Sequence, residues 1–213
     1  MSTVDEMAEF VLLWEKVQEV FFSDELDRII WKWTKNGLYS SKSAYEIQFV
    51  GSYCTFNSFA LWKAKAEGKH RFFGWLFLQE KIQTADNLLL KGIECDPVCC
   101  LCDQDFETAV HLCLQCCFAQ EIWVLVRAWT EGLINVPLPG VQVEEWWNSS
   151  LQASSTENRS KVAAILLYTV WNVWNEWNRR IFQGISQPPI RVLSLIKEEM
   201  KIRQQACEGR VLT

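Results

Sequence analysis

Cysteine and histidine residues with the spacing of metal ligands lie near the middle of this 213-residue chain. Seven of its nine cysteines fall between residues 95 and 117, where Cys99 and Cys102 form a Cys-x2-Cys pair. Such a pair supplies two thiolates from one tight loop, and zinc takes four ligands of this kind in a tetrahedron. Three further candidate ligands follow the pair, namely His111, Cys113 and Cys116. The spacing therefore predicts a Zn²⁺ site in this window.

Disulfide bonding and simple burial are the alternatives to metal binding for these cysteines. The odd number of cysteines would leave one thiol unpaired in a complete disulfide framework. The first 30 residues are acidic, and no run of 18 apolar residues occurs, so neither a signal peptide nor a membrane span is predicted. We expect an intracellular protein, nuclear or cytoplasmic and not secreted, in which clustered thiols bind metal. An isolated free cysteine, in contrast, usually packs as a small hydrophobic residue.

The second half of the ligand set has two arrangements. His111 with Cys116 would complete one tetrahedral site, and Cys113 with Cys116 would complete another. In a helix that begins near Thr108, Cys113 lies about 200° around the axis from His111 at 100° per residue, so the two do not easily face one ion. The residue types alone leave both arrangements open.

Apolar periodicity predicts helices over most of the chain, and Asn36-Gly37 between two short β-prone runs predicts a hairpin. The predicted fold class is mainly α with a small β-hairpin, a zinc-stabilised helical domain followed by C-terminal helices. The predicted organisation is an acidic N-terminal helix (1–26), the zinc-binding domain (27–132), a loop or linker rich in Pro, Ser and Asn (133–160) and a Trp-rich helical pair (161–207).

Three blocks of sequence resemble a known family, in the same order along the chain. They are "DRIIWKWTKNGLYSSKSAY", "LWKAKAEGKHRFFGWLFLQEKIQTADNLLLKG" and "CCLCDQDFETAVHLCLQCCFA". Together they resemble the zinc-binding domain at the C-terminal end of plant non-LTR (LINE-type) retrotransposon reverse transcriptases. The resemblance implies the metal ligands Cys99, Cys102, His111 and Cys116, and it places Cys113 at a position where the family usually has phenylalanine. The segment "WNVWNEWNRRIF" resembles the tail that follows this domain, where an arginine usually stands at the position of Trp177.

The predicted zinc is structural and the predicted protein is not an enzyme. Four protein ligands fill the coordination shell, whereas catalytic zinc keeps an open position. No Tyr-x-Asp-Asp stretch of a polymerase occurs, and no cluster of nucleophile and base is apparent. We expect Glu107, which lies between the two ligand pairs, to cap a helix or face solvent rather than act as a base. No small-molecule substrate is predicted.

A nucleic acid, either RNA or single-stranded DNA, is the first predicted partner. The net charge is −5, but residues 1–30 carry eight acidic and two basic residues, and the remainder carries 18 and 19. Basic residues near Trp62 and Trp75 can follow a phosphate backbone while the indoles stack on bases. The candidate nucleic-acid-binding residues are Lys63, Lys65, Lys69, His70, Arg71, Arg179 and Arg180. We expect His70 at the surface, between Lys69 and Arg71.

The alternative function is a host-adopted protein–protein interaction module that binds no nucleic acid. The acidic N-terminal helix and the Trp-rich C-terminal helices would then be the docking surfaces, because tryptophan is enriched among the residues that dominate interface energies. A second alternative concerns Trp62, Phe72, Phe73 and Trp75, which could all be ordinary core residues beside solvated lysines.

Overall fold

The computed structural model of the protein describes residues 4–18, 29–47, 58–155 and 158–208. The described residues are mainly helical, as predicted. The α-helices are α1 (Val4–Gln18), α2 (Ser41–Ile47), α3 (Ser58–Lys63), α4 (Gly68–Leu78), α5 (Ala85–Leu90), α6 (Cys117–Trp129), α7 (Val143–Gln152), α8 (Arg159–Gln183) and α9 (Pro189–Glu208), with a π-helix at His111–Gln115. The chain divides into two compact units, Met1–Tyr53 and Cys54–Thr213.

The first unit contains α1 and α2, and the predicted β-hairpin between them is wrong. Residues 29–40 contain no strand; residues 27 and 28 of the hairpin prediction lie outside the described part of the chain. The Trp31 N–H donates to the Gly37 carbonyl over 2.8 Å, and the Thr34 N–H donates to the Trp31 carbonyl over 3.3 Å. These bonds close a compact loop directly after Trp31. Within residues 29–40, the turn is therefore not flanked by paired strands.

Helix α8 forms the centre of the second unit. It is 25 residues long and packs against α3, α4, α7, α9 and the π-helix, so that residues 162–170 are all buried. A helix that is apolar on all sides requires neighbours on all sides. Helix α4 approaches α8 closely at Gly74, where a Cβ atom would clash with the side chain of Leu167.

The segment 133–160, predicted as a loop or linker, contains helix α7. Trp146 and Trp147 of this helix are buried. The Trp146 ring lies edge-on to Phe77 and to Trp123, with ring centroids 5.9 Å and 5.5 Å apart. The two tryptophans therefore hold the middle of this segment in the core of the second unit, while Pro-rich and Ser-rich stretches flank it.

Helices α8 and α9 are joined by a short connection. Gly184 ends α8 in the left-handed conformation with φ of 65°, and α9 begins at Pro189, a residue favoured in the first turn of a helix. Val192, Leu193 and Ile196 of α9 are buried. Among the helices of the described residues, none has the length and apolar character needed to cross a bilayer.

Candidate metal centre

The side chains of Cys99, Cys102, His111 and Cys116 converge in the second unit. Their donor atoms all lie within 4.8 Å of one another. The Cys99 and Cys116 sulfurs are 4.0 Å apart, and the Cys102 sulfur is 3.3 Å from His111 Nε2. Zn–S bonds of about 2.3 Å in a tetrahedron place two sulfurs about 3.8 Å apart. The four donors therefore fit one tetrahedral zinc ion in both chemistry and spacing.

A tightly hydrogen-bonded loop presents the first two ligands. The Cys99 N–H donates to the Asp105 carbonyl, and the Cys99 carbonyl accepts from the N–H groups of Cys102 and Asp103. Asp103 has φ of 54°, a left-handed conformation that aspartate tolerates better than most residues. A single antiparallel bridge between Val98 and Phe106 closes the base of the loop. This backbone turns Cys99 and Cys102 toward the same point.

The π-helix presents the other two ligands. Residues five apart in an α-helix lie about 140° apart around the axis, so His111 and Cys116 would diverge. Here the Cys116 N–H instead donates to the His111 carbonyl over 2.7 Å, the i to i+5 bond of a π-helix. The Thr108 hydroxyl oxygen accepts from the His111 N–H and fixes the start of this turn. The widened turn brings both side chains to the same side.

Cys113 lies outside this group of donors. Its side chain is completely buried, and burial raises the pKa of its thiol above the ordinary range. The Cys113 carbonyl accepts a hydrogen bond from Trp123 Nε1 over 2.8 Å. The sequence left two ligand arrangements open. In the structure the donor atoms of the arrangement with His111 lie together, whereas Cys113 packs in the core.

The electrostatics of the cluster favour a bound cation. The hydrogen bond between the two thiols lowers the pKa of Cys99 to about 4 and raises that of Cys116. A hydrogen bond with Cys99 also raises the pKa of His111. Cys99 is therefore the thiol of the cluster that loses its proton most readily, and a bound cation would compensate the charge of its thiolate. In contrast, burial raises the pKa of Cys100 to about 12 and keeps that thiol neutral.

Glu107 joins two helices to the loop that carries Cys99 and Cys102, which we call the ligand loop. Only 4% of Glu107 is exposed. Its Oε1 accepts from the Ala85 N–H at the start of α5 over 3.0 Å, and its Oε2 accepts from Trp177 Nε1 on α8 over 2.6 Å. Burial raises the pKa of Glu107. The sequence-based expectation of a cap is confirmed, whereas the bond to Trp177 was not predicted.

Arg180 is a second link between α8 and the ligand loop. Its guanidinium donates to the carbonyls of Cys100 and Leu101, each over 3.2 Å, and lies over the Phe118 ring. Arg180 and Arg179 both pair with Glu176, whose side chain is fully buried. Both arginines were predicted to bind nucleic acid; in the structure they pair with Glu176, and Arg180 also bonds to the ligand loop.

The prediction of a surface-exposed His70 is wrong. Only 1% of the residue is exposed. Nδ1 lies 2.9 Å from a Glu67 carboxylate oxygen, Nε2 lies 3.3 Å from a Glu199 oxygen, and the ring packs on Tyr168. His70 is thus an internal link between α4 and α9, and its ring is not available to an external ligand.

The remaining predicted basic residues lie on or beside α3 and α4. Lys63 and Lys65 are exposed, and Lys69 lies 3.8 Å from Glu199 and over the Trp171 ring. Arg71 donates to the Trp62 carbonyl over 2.8 Å and so joins the two helices. Their assignment to nucleic-acid binding stays a prediction.

The aromatic residues of α3 and α4 divide into two groups. Phe73 is a core residue at 5% exposure, whereas Phe59, Trp62 and Phe72 are 71%, 47% and 55% exposed. Trp75 is partly buried and stacks on Phe72. Of the four aromatic residues that the core alternative named, Phe73 is therefore buried and Trp75 packs partly buried against the core, whereas Trp62 and Phe72 are exposed.

Comparison with known proteins agrees with the geometry. Residues 39–123 match the family described as zinc-binding in reverse transcriptase, which confirms the resemblance seen in the sequence. The matched residues include all four of the converging side chains, Cys99, Cys102, His111 and Cys116. The chain is also 30% identical over 104 residues to an Arabidopsis thaliana protein named "Putative ribonuclease H protein", a match that covers 47% of this chain and 17% of that protein. No solved structure matches the chain.

Proposed function

We propose that Cys99, Cys102, His111 and Cys116 bind one structural Zn²⁺ ion. The single observation behind this is the convergence of three thiols and one imidazole within 4.8 Å. Four protein ligands fill a tetrahedral shell, so the bound ion would supply cross-linking of the loop to the π-helix and no open coordination position. Glu107 is bound on both carboxylate oxygens and does not face a substrate as a base. The proposed domain is non-catalytic.

We propose further that the protein binds single-stranded nucleic acid, RNA or DNA, through α3 and α4. Exposed and partly exposed aromatic and basic side chains occur together there; we call this the aromatic–basic surface. It consists of Phe59, Trp62, Lys63, Lys69, Arg71, Phe72 and Trp75. Each base that stacks on an aromatic side chain contributes about 1–3 kcal/mol, and lysine and arginine neutralise the adjoining phosphates. The observation that carries the proposal is the exposure of Trp62 and Phe72 beside unburied cations.

The test is fluorescence anisotropy of labelled single-stranded RNA and DNA with the zinc-loaded protein, at low and moderate salt. We expect micromolar or tighter binding that weakens steeply with salt. Replacing Trp62 and Phe72 by alanine should weaken binding at least tenfold if each stacks on a base. Phe182→Ala is the matched control, because Phe182 is 74% exposed on α8, away from this surface. Absence of binding at low salt would overturn the proposal.

A second candidate function, protein–protein interaction, is favoured by α1. The large apolar side chains from Met7 to Val17 on this helix are at least half exposed, including Phe10, Leu13 and Trp14. Apolar surface of this extent marks interaction sites in soluble proteins. The two functions are distinguished by deleting residues 1–18, which should leave nucleic-acid binding unchanged and abolish a partner interaction made through α1.

A further inference from the structure

A groove between α8 and α9 carries three cations that the sequence patterns did not bring together. Lys161, Ile165 and Tyr168 line it from α8, and Met200 and Arg203 line it from α9. The groove encloses about 550 Å³. Lys65, which follows α3, completes its rim. We call this the α8–α9 groove.

The charges on the groove are all of one sign. None of the described residues that line it is acidic, and none of Lys65, Lys161 and Arg203 forms a salt bridge with another described residue. Tyr168, on the floor of the groove, lies near two described carboxylates: Glu67, which accepts from the Tyr168 hydroxyl, and Glu199. Both carboxylates also face His70. In a chain of net charge −5, three cations around one concave site, none of them in a salt bridge with a described residue, attract an anion.

The backbone holds the cations of the groove in fixed segments. The Lys65 N–H donates to the Ser160 carbonyl over 3.2 Å, and the Ser160 hydroxyl donates to the Lys63 carbonyl over 2.7 Å. The start of α8 and the segment after α3 are thus joined directly beside Lys65 and Lys161. The same segment leads back through Lys63 to Trp62 on the aromatic–basic surface. A strand of nucleic acid that stacks on Trp62 therefore has a cationic path toward the groove.

We propose that the α8–α9 groove binds phosphate groups through Lys65, Lys161 and Arg203, and that these are phosphodiesters of the single-stranded nucleic acid bound by the aromatic–basic surface. The second part rests on the proposed function. Two flexible ammonium groups and one planar guanidinium suit a phosphate, since arginine binds its oxygens in a bidentate manner and lysine acts as a point charge. The apolar floor formed by Ile165, Tyr168 and Met200 leaves room for the sugar between charged contacts.

The experiment compares zinc-loaded wild type with two variants of equal charge change. The groove variant is Lys65→Gln, Lys161→Gln, Arg203→Gln. The control is Lys81→Gln, Lys91→Gln, Arg127→Gln, which removes two exposed lysines and one exposed arginine outside the groove. A third variant, Lys65→Arg, Lys161→Arg, Arg203→Lys, keeps all three charges. Zinc content and circular dichroism verify that each variant is folded.

Two measurements are made on each protein. Fluorescence anisotropy with a labelled single-stranded oligonucleotide gives the affinity and its dependence on salt, and calorimetric titration with inorganic tripolyphosphate reports on the groove without any base. Three lost contacts should reduce the log–log salt slope by about 2, because each single-strand contact contributes about 0.7. If the electrostatic contribution to binding vanishes near 1 M salt, the groove variant should bind the oligonucleotide about 100-fold more weakly than wild type at 0.1 M salt. The control variant should bind as wild type does, and the charge-keeping variant should keep the wild-type salt slope.

The outcomes separate the groove from the proposed function. If wild type binds the oligonucleotide and the groove variant binds it equally well, the groove inference is overturned while the proposed function stands. If tripolyphosphate binds in a groove-dependent manner and the oligonucleotide does not bind, the groove is a site for a free polyphosphate and the proposed function fails. Absence of both interactions overturns both. Equal loss in the charge-keeping variant also overturns the inference, because charge would then not be the cause.

Discussion

Trp177 on α8 donates a hydrogen bond of 2.6 Å to Glu107 in the metal-ligand loop, across 70 residues of sequence. Both residues are almost completely buried, and Glu107 uses its other oxygen to accept from the start of α5. An indole N–H and a guanidinium can both donate to a carboxylate, so an arginine at position 177 would keep a donor for Glu107.

This bond predicts an order of stability among substitutions of Trp177. Trp177→Phe removes the donor and leaves a buried Glu107 oxygen without a partner, which should cost about 2–3 kcal/mol. Trp177→Arg restores a donor and should cost less than Trp177→Phe. The measurement is urea unfolding of the zinc-loaded proteins, followed by far-ultraviolet circular dichroism.

The control for this prediction is Trp174→Phe on the same helix. The Trp174 indole N–H is buried without a partner among the described residues. Replacing Trp174 by phenylalanine therefore removes packed side-chain volume but no hydrogen bond. Trp174→Phe should therefore cost less than Trp177→Phe. Equal costs would mean that the Glu107 bond contributes nothing measurable.

We expect variants of the four metal ligands to differ in zinc content and folding from variants of the other cysteines. Cys102→Ala and His111→Ala should each lose zinc and much of the ordered structure, because the binding free energy of a structural zinc is part of the folding free energy. Cys113→Ala should keep zinc and lose about 1–2 kcal/mol of packing. Zinc is measured with a colorimetric chelator, and folding by circular dichroism.

Cys117→Ala is the matched control, because Cys117 is exposed and adjoins a ligand without belonging to the donor group. It should retain both zinc and stability. Release of zinc by Cys113→Ala together with retention by His111→Ala would show that the ligand set is wrong.

The environment of the Glu199 carboxyl leads us to expect that the protein loses stability in acid. Burial disfavours its charge, but hydrogen bonds from His70 and Asn172 outweigh burial and lower the pKa of Glu199 below 4.5. A lowered folded-state pKa gives stability that is present above the unfolded value and is lost as pH falls through the folded value. Wild type should therefore lose its advantage over Glu199→Gln as the pH falls below about 4.5.

The matched control for acid is Glu198→Gln. Glu198 lies next to Glu199 on α9 but is 54% exposed and pairs with Arg191 at the surface. Protonation of the metal ligands at low pH affects all three proteins alike, so the differences between them isolate Glu199. A wild-type advantage over Glu199→Gln that does not change between pH 7 and pH 3 would contradict the prediction.

The close approach of α4 to α8 at Gly74 leaves no room for a side chain at this position. In Gly74→Ala the new methyl would clash with Leu167 and lie 3.2 Å from Leu61 Cδ1, which should cost about 1–3 kcal/mol. Gly68→Ala in the same helix meets no atom within 4 Å and should be neutral or slightly stabilising. Thermal unfolding measures both. A Gly74→Ala protein as stable as wild type would show that Leu167 yields without cost.

Local sequence patterns were sufficient for the helical class and for the Cys99–Cys102 loop. Their signals, a 3.6-residue apolar period and a two-residue gap between thiols, arise from neighbours in the chain. The hairpin prediction failed because an Asn-Gly pair indicates a turn but cannot ensure that paired strands extend from it. The choice between His111 and Cys113 needed the family resemblance, since the π-helix that joins His111 to Cys116 has no distinct local pattern.

Tertiary structure alone decided the environment of the titratable and charged residues. His70 has the sequence neighbours of a surface residue, yet it is buried because Glu199, 129 residues away, packs against it. Arg180 reaches carbonyls 79 and 80 residues away, and Lys65, Lys161 and Arg203 meet only because α8 and α9 fold beside α3. Residue types and their local spacing were enough to identify the side chains that can bind metal or carry charge. Packing between distant segments decided which of them face a ligand and which face one another.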